Sequence, residues 1–167
     1  MNQPVHMDRQ DVLCRLEHEF GLPRETIFFL HLVPLIEVLW ADGKSQQTER
    51  VLVYEYAMSL QRAWAREAGT EVISDKALHD FFTRFLSKDD DAATLHGLRQ
   101  LLLALPVSPD SRPELSLDTV LDYCIDIAAC AVTHYPYGLH DRVNVAEKHI
   151  IKELVQQVAM AKVTATA

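Results

Sequence analysis

The chain has 167 residues, of which 49% are apolar and 24% are charged, a balance typical of one globular domain with an apolar core. The 24 acidic side chains outnumber the 16 basic ones and give a net charge of −8. This charge disfavours nucleic acid and anionic membranes as partners, because both require a cationic surface. The chain contains 5 glycines and no Asn-Gly or Asp-Gly pair followed by an alternating apolar run, so β-hairpins are not expected.

The cysteines indicate the redox environment of the protein, and the length of the apolar stretches indicates whether it could span a membrane. The 3 cysteines are an odd number and form no C-x-x-C motif, which favours free thiols in a reducing environment. The longest apolar stretch, residues 27–41, contains His31 and Glu37 and is too short and too polar to span a bilayer. We therefore expect a soluble cytoplasmic protein without a transmembrane segment.

Apolar residues at helical spacing predict a single all-α domain of about seven helices. In chain order the helices are expected near residues 8–20, 23–40, 45–68, 74–86, 89–105, 116–133 and 144–163. Pro34 lies inside the second helix and removes one backbone donor, so we predict a kink there. A proline-rich connector, PVSPDSRP, joins the two halves of the domain, residues 1–105 and 114–167.

The second predicted helix is apolar on every side, which is typical of a helix at the centre of a bundle. Its interior polar residues are His31 and Glu37. An acidic Asp42-Gly43 turn follows, and Glu49 lies in the first turn of the next helix. Carboxylates held beside a buried helix cost free energy unless a cation compensates them. The pattern therefore favours a bound cation.

The same order of apolar helix, acidic turn and helix returns after the connector. Here Asp126 lies within the sixth helix, Asp141 in the loop that follows it, and Glu147 in the first turn of the last helix. We interpret this as a weak internal repeat. Two such units packed about a pseudo-twofold axis would bring the two acidic turns together.

Simpler explanations exist for each of these residues. Asp42 and Glu49 fit helix boundaries, where capping and the helix dipole favour acids. A buried Glu37 requires a partner, and an arginine is a commoner partner than a metal. Four potential ligands follow one face of the sixth helix at four-residue spacing: Asp122, Asp126, Cys130 and His134. A buried thiol, with the acids and the histidine paired elsewhere, explains that stripe without a metal.

The run LIEVLWADGKSQQTERVLVYEYA, residues 35–57, resembles the tellurite-resistance TerB-like domains. In that family a small residue, Asp-Gly and a few polar residues precede a Glu that opens a helix. The run HDRVNVAEKHIIKELVQQV, residues 140–158, is a looser match that lacks the glycine after Asp141. The resemblance implies an all-helical bundle with clustered acidic residues, proposed to bind divalent metal and linked to metal or chemical (tellurite) stress.

Together the acidic pattern and the resemblance predict one divalent metal site. Its candidate ligands are Glu37, Asp42, Glu49, Asp126, His134, Asp141 and Glu147. Oxygen ligands favour calcium, magnesium or manganese, whereas participation of His134 favours zinc.

Catalytic motifs are absent from the sequence. It contains no H-E-x-x-H, no Glu followed three residues later by His, no G-x-S-x-G and no phosphate-binding glycine loop. We therefore expect a non-catalytic metal-binding protein. Two alternatives stay open: a helical adaptor whose apolar groove binds a partner protein, with structural acidic residues, and a thiol-dependent enzyme that uses Cys130 or Cys124.

Overall fold

The structure is a computed structural model that describes residues 7–87, 92–106, 112–130 and 145–165. Within these ranges it contains seven α-helices and no strand, which confirms the predicted all-α class. The helices are α1 (Arg9–His18), α2 (Val33–Leu39), α3 (Gln47–Ala68), α4 (Asp75–Phe85), α5 (Ala92–Ala104), α6 (Leu117–Cys130) and α7 (Val145–Ala165). Two 3₁₀ segments, Arg24–Leu32 and Pro113–Leu115, precede α2 and α6.

No helix in the described ranges has the length and apolar character needed to cross a membrane. The predicted acid-rich start of α5 (residues 89–91), most of the connector and the whole loop between α6 and α7 lie outside the described residues. The predicted pseudo-twofold repeat stays a prediction.

The starts of three helices show how local sequence sets their boundaries. Ser74 and Ser116 cap α4 and α6 as expected, since each hydroxyl accepts a backbone N–H three residues on at 3.1 Å. The expected cap of α3 at Ser45 is wrong by one residue. Gln46 is the N-cap, because its side chain and that of Glu49 form a reciprocal capping box.

Pro34 divides the second predicted helix into two. The chain forms a 3₁₀ segment at Arg24–Leu32 and then starts α2 at Val33, with Pro34 in its first turn. Proline cannot donate to a carbonyl in the preceding turn but suits the start of a helix, where that donor is not needed. The expected kink is therefore a change of helix type.

Helix α2 is the centre of the bundle. All of its residues, Val33–Leu39, are buried. It packs against α3, α5, α6 and α7, so no side of it faces solvent. The all-round apolar pattern of this segment is therefore satisfied by neighbours on every side, as predicted.

Aromatic side chains hold both ends of the central segment, one by ring stacking and one by a hydrogen bond. The rings of Phe29 and Phe81 stack with centroids 5.0 Å apart and join the 3₁₀ segment to α4. At the far end, Nε1 of Trp40 donates to the carbonyl of Phe85 at 3.0 Å. This bond fixes the end of α2 and the position from which the acidic turn departs.

Because α2 has no solvent face, we expect Leu35→Ala and Ile36→Ala each to destabilise the protein by about 2–5 kcal/mol. Both side chains are fully buried. The matched control is Met58→Ala on α3, whose side chain is 56% exposed and whose loss should cost less than about 0.5 kcal/mol. Urea denaturation measures all three, and a loss below 1 kcal/mol at either α2 position would contradict the central placement of this helix.

Candidate functional site

The turn between α2 and α3 presents Asp42 to solvent. Gly43 adopts a φ of 75°, a left-handed conformation that glycine reaches without strain, and its N–H donates to the carbonyl of Trp40 at 2.9 Å. The exposed carboxylate of Asp42 accepts the backbone N–H of Lys44 at 2.9 Å. The turn is thus closed by its own hydrogen bonds, and Asp42 stands at its rim.

Glu49 lies at the other end of this turn and is buried, with 2% of its surface exposed. Its Oε2 accepts the backbone N–H of Gln46 at 2.7 Å, while the side chain of Gln46 accepts the backbone N–H of Glu49. The expectation that Glu49 opens α3 is therefore correct. The capping box also explains why a buried carboxylate is held in one orientation.

Acidic residues from both halves of the chain affect the pKa of Glu49. Burial raises the pKa of Glu49 to about 7, and the N–H of Gln46 opposes this rise. The charges of Asp42 and Glu147 raise the pKa further, and the charge of Arg50 lowers it by a smaller amount. Glu147 lies in the first turn of α7 and is 1% exposed. The acid at the start of α7 is thus near enough for its charge to act on the acid at the start of α3. We call Asp42, Glu49 and Glu147 the acidic turn cluster.

The residues of the acidic turn cluster are related by the effect of their charges on Glu49 and not by an observed metal-binding geometry. Within the described ranges, no group of three or more His, Cys, Asp and Glu side chains is arranged to hold a metal ion. Two of the expected ligands, His134 and Asp141, lie outside the described residues. Chemically, a buried carboxylate beside two others is stabilised when a proton or a cation neutralises part of the charge.

Glu37 belongs to a separate cluster, in which an arginine lies beside the buried carboxylate. Its Oε2 lies 3.4 Å from Nε of Arg99, and the two side chains are 9% and 1% exposed. Nη2 of Arg99 also lies 2.9 Å from both Glu153 and Nδ1 of His96. Burial raises the pKa of Glu37 to about 7, although Arg99 lowers it, and Glu153 raises it slightly further. Arg99 is thus a buried cation beside Glu37, although Oε2 of Glu37 and Nε of Arg99 form no hydrogen bond within the described residues.

Asp126 does not join either cluster as a buried acid. Helix α6 turns Val120, Cys124 and Ile127 inward, and its 3.6-residue period leaves Asp122 and Asp126 exposed. Asp126, an expected metal ligand, therefore lies on the exposed face of α6. In the stripe of potential ligands on this helix, Asp122 and Asp126 are exposed, Cys130 is half-buried, and His134 lies outside the described residues.

The cysteines give little support to a thiol-dependent mechanism. Cys124 is fully buried, and burial raises the pKa of its thiol, which suppresses the nucleophilic thiolate. Cys130 is half-buried, and its expected partner His134 lies outside the described residues. Cys14 is exposed and free.

Arg99 is the buried partner of Glu37 that the sequence pattern did not identify. It lies in the apolar run LRQLLL of α5, residues 98–103, where Leu98, Leu101 and Leu102 are buried. A lone arginine inside an apolar helical stripe is the signal that could have identified it, since such a residue must find a buried acid.

No protein-family model, curated protein or solved structure matches the chain. The TerB-like resemblance therefore stays a prediction based on Ala41, Asp42, Gly43 and Glu49 with the looser second run.

Removing Arg99 should leave Glu37 buried without a cation. We expect Arg99→Met to destabilise the protein by about 3–5 kcal/mol, and the double change Glu37→Leu with Arg99→Met to recover most of the loss. The control is Arg15→Met, which breaks a solvent-exposed pair with Glu19 and should cost less than about 1 kcal/mol. Urea denaturation at pH 8 checks these values, and a single-variant loss as small as that of the control would rule out a buried pair.

The pKa of Glu49 should make its own substitution pH-dependent. Its pKa is about 7 in the folded state, above the ordinary value of 4.5, so the folded state holds a proton that the unfolded chain releases. This contribution to stability is complete below pH 4.5 and is lost as the pH rises through 7. In the absence of metal, Glu49→Gln should gain about 2–3 kcal/mol relative to the parent between pH 5 and pH 8.

The matched control is Asp126→Asn, which removes an exposed carboxylate and should show the same difference from the parent at both pH values. Denaturation curves at several pH values in the presence of a chelator provide the measurement. A pH-independent effect of Glu49→Gln would show that its carboxyl titrates normally.

Proposed function

We propose that the chain is a non-catalytic, divalent-cation-binding domain of the TerB-like type. One observation carries the proposal: the buried carboxylate of Glu49, at the start of α3, is repelled by Asp42 in the turn before it and by Glu147 at the start of α7, each more strongly than Arg50 attracts it. Asp42 and Glu147 come from the two halves that the sequence pattern had paired.

Physical reasoning favours a cation over a purely structural role. A capping box alone explains the orientation of Glu49, but it does not require a second buried acid from another helix nearby. Carboxylates that repel one another at low exposure raise the free energy of the cation-free protein. A divalent ion relieves the repulsion and favours the ionised carboxylates.

The proposed ligands are Asp42, Glu49 and Glu147, with Asp141 as a further oxygen ligand from the second turn. Because these ligands are oxygen atoms, calcium, magnesium or manganese fits better than zinc. The exposed side chain of Asp42 is the one most free to reorient towards an ion. Bound in this way, the ion links the α2–α3 turn to the start of α7.

A role in metal or tellurite stress follows only from the family resemblance and is part of the same proposal. A cytoplasmic location is proposed because Cys14, Cys124 and Cys130 are free thiols.

Cation binding should raise the stability of the folded protein. After treatment with a chelator, the protein is titrated with Ca²⁺, Mn²⁺, Mg²⁺ and Zn²⁺ at pH 8 while thermal unfolding is followed. An ion present at about 100 times its dissociation constant should add roughly 2.7 kcal/mol. Glu49→Gln and Glu147→Gln should each abolish most of this gain.

The control Asp126→Asn removes the same charge from the exposed face of α6 and should keep the full gain. Calorimetry at pH 6.5 in two buffers of different ionisation enthalpy should also show proton release on binding, because a pKa near 7 leaves Glu49 largely protonated at that pH. The proposal fails if no ion stabilises the parent, or if Asp126→Asn and Glu49→Gln respond alike.

A helical adaptor is the second candidate function. Val51, Tyr54 and Met58 follow one face of α3 and are 44%, 47% and 56% exposed. Exposed apolar side chains at this spacing suit contact with a partner helix. Stability that is independent of every ion tested would favour this candidate over cation binding.

A further inference from the structure

A cavity of about 250 Å³ is lined by residues of α1, the 3₁₀ segment before α2, α3, the end of α5 and the start of α6. Most of its wall is apolar, and the apolar side chains include Phe28, Trp64, Leu102, Leu105 and Leu117. An apolar cavity of roughly 150 Å³ holds benzene, so by proportion this cavity has room for roughly ten carbon atoms.

The cavity extends from the protein surface towards the core. Arg9, Glu67 and Pro106 contribute to its wall and are exposed, whereas Ile27 and Leu115 contribute to it and are buried. We call the three exposed residues the mouth of the cavity. A ligand bound there meets apolar surroundings at one end and water at the other, which suits a molecule with an apolar body and a polar end.

The mouth carries one positive charge that has no acidic partner. The guanidinium of Arg9 lies 5.5 Å from the ring centroid of Phe28, which is itself part of the wall. Within the described ranges Arg9 forms no ion pair. Glu67, the acid at the mouth, pairs with Arg112 at 3.6 Å, so these two side chains together have no net charge.

The rest of the described wall is uncharged at neutral pH. Burial lowers the pKa of His31 to about 4, and the hydrogen bond to the carbonyl of Leu115 only partly opposes this shift. A charged ligand group in the inner part of the cavity would lose its hydration without gaining a counter-ion. At the mouth the same group keeps contact with water, and a negative group there has Arg9 as its counter-ion.

We propose that this cavity binds small amphipathic carboxylates, molecules with an apolar body of about eight to ten carbon atoms and one carboxylate. The apolar body occupies the cavity, and the carboxylate pairs with the guanidinium of Arg9, which can bind both of its oxygens. One unpaired arginine matches a single negative charge, whereas a phosphate monoester carries nearly two. The wall includes neither Glu49 nor Glu147, so this site does not depend on the proposed cation.

The two tryptophans of the chain report binding locally. Octanoate, 3-phenylpropionate, octanol and octylammonium are titrated into ¹⁵N-labelled protein while the two indole N–H signals are followed. The signal of Trp64, on the wall, should shift and saturate with both carboxylates, and the tighter of the two identifies an alkyl or an aromatic body. The signal of Trp40, whose N–H is bonded to the carbonyl of Phe85, should stay in place. Octylammonium should bind most weakly, because Arg9 repels its charge.

Arg9→Gln tests the role of the charge at the mouth. The position is exposed, so the variant should fold as the parent does. It should weaken octanoate binding about threefold, the effect of one solvent-exposed ion pair, and leave octanol binding unchanged. The matched control is Arg62→Gln, which removes an exposed arginine of α3 that does not line the cavity and should bind octanoate as the parent does.

Leu105→Trp fills the cavity from a half-buried position and should abolish binding of every probe, as followed by calorimetry, with folding checked by circular dichroism. The proposal is overturned if neither carboxylate shifts the Trp64 signal saturably, or if Leu105→Trp binds as the parent does. It is also overturned if Arg9→Gln weakens octanol as much as octanoate, or if Arg9→Gln and Arg62→Gln respond alike.

Discussion

The burial of α2 on every side is the constraint on which this fold depends. A helix of seven residues without a solvent face must be enclosed by other helices, and α3, α5, α6 and α7 supply that enclosure. This enclosure also determines where the polar residues near α2 can lie and which partners they need. Each must find a partner inside the bundle or lie at its edge, because water is not available to it.

Glu37 and Glu49 show the two outcomes. Burial raises the pKa of both to about 7, but their neighbours differ. Glu37 lies within α2 and is paired with Arg99, which also reaches Glu153 on α7 and so connects three helices. Glu49 lies at the edge of the bundle and has acidic neighbours. Each of the two acids has neighbours of both charges, but Arg99 is the strongest charged neighbour of Glu37, whereas Arg50 acts on Glu49 less than Asp42 or Glu147 does. In the proposed function Glu37 is therefore structural and Glu49 binds the cation.

The burial of His31 follows from the same constraint. The 3₁₀ segment before α2 places the rings of Phe28 and His31 beside Trp64 of α3, with centroids 5.2 Å and 6.1 Å from its ring. Enclosure keeps His31 neutral and leaves its Nδ1 without a described partner.

The sequence by itself determined the helical class, the central place of α2, the caps at Ser74 and Ser116, and the break at Pro34. These follow from periodicity and from local hydrogen bonding, which act over a few residues. Only the tertiary structure decided that Arg99 compensates Glu37, that Asp126 faces solvent, and that Glu147 approaches Glu49. Those outcomes depend on which helix faces which, and periodicity fixes the faces of a helix without naming the neighbour that covers them.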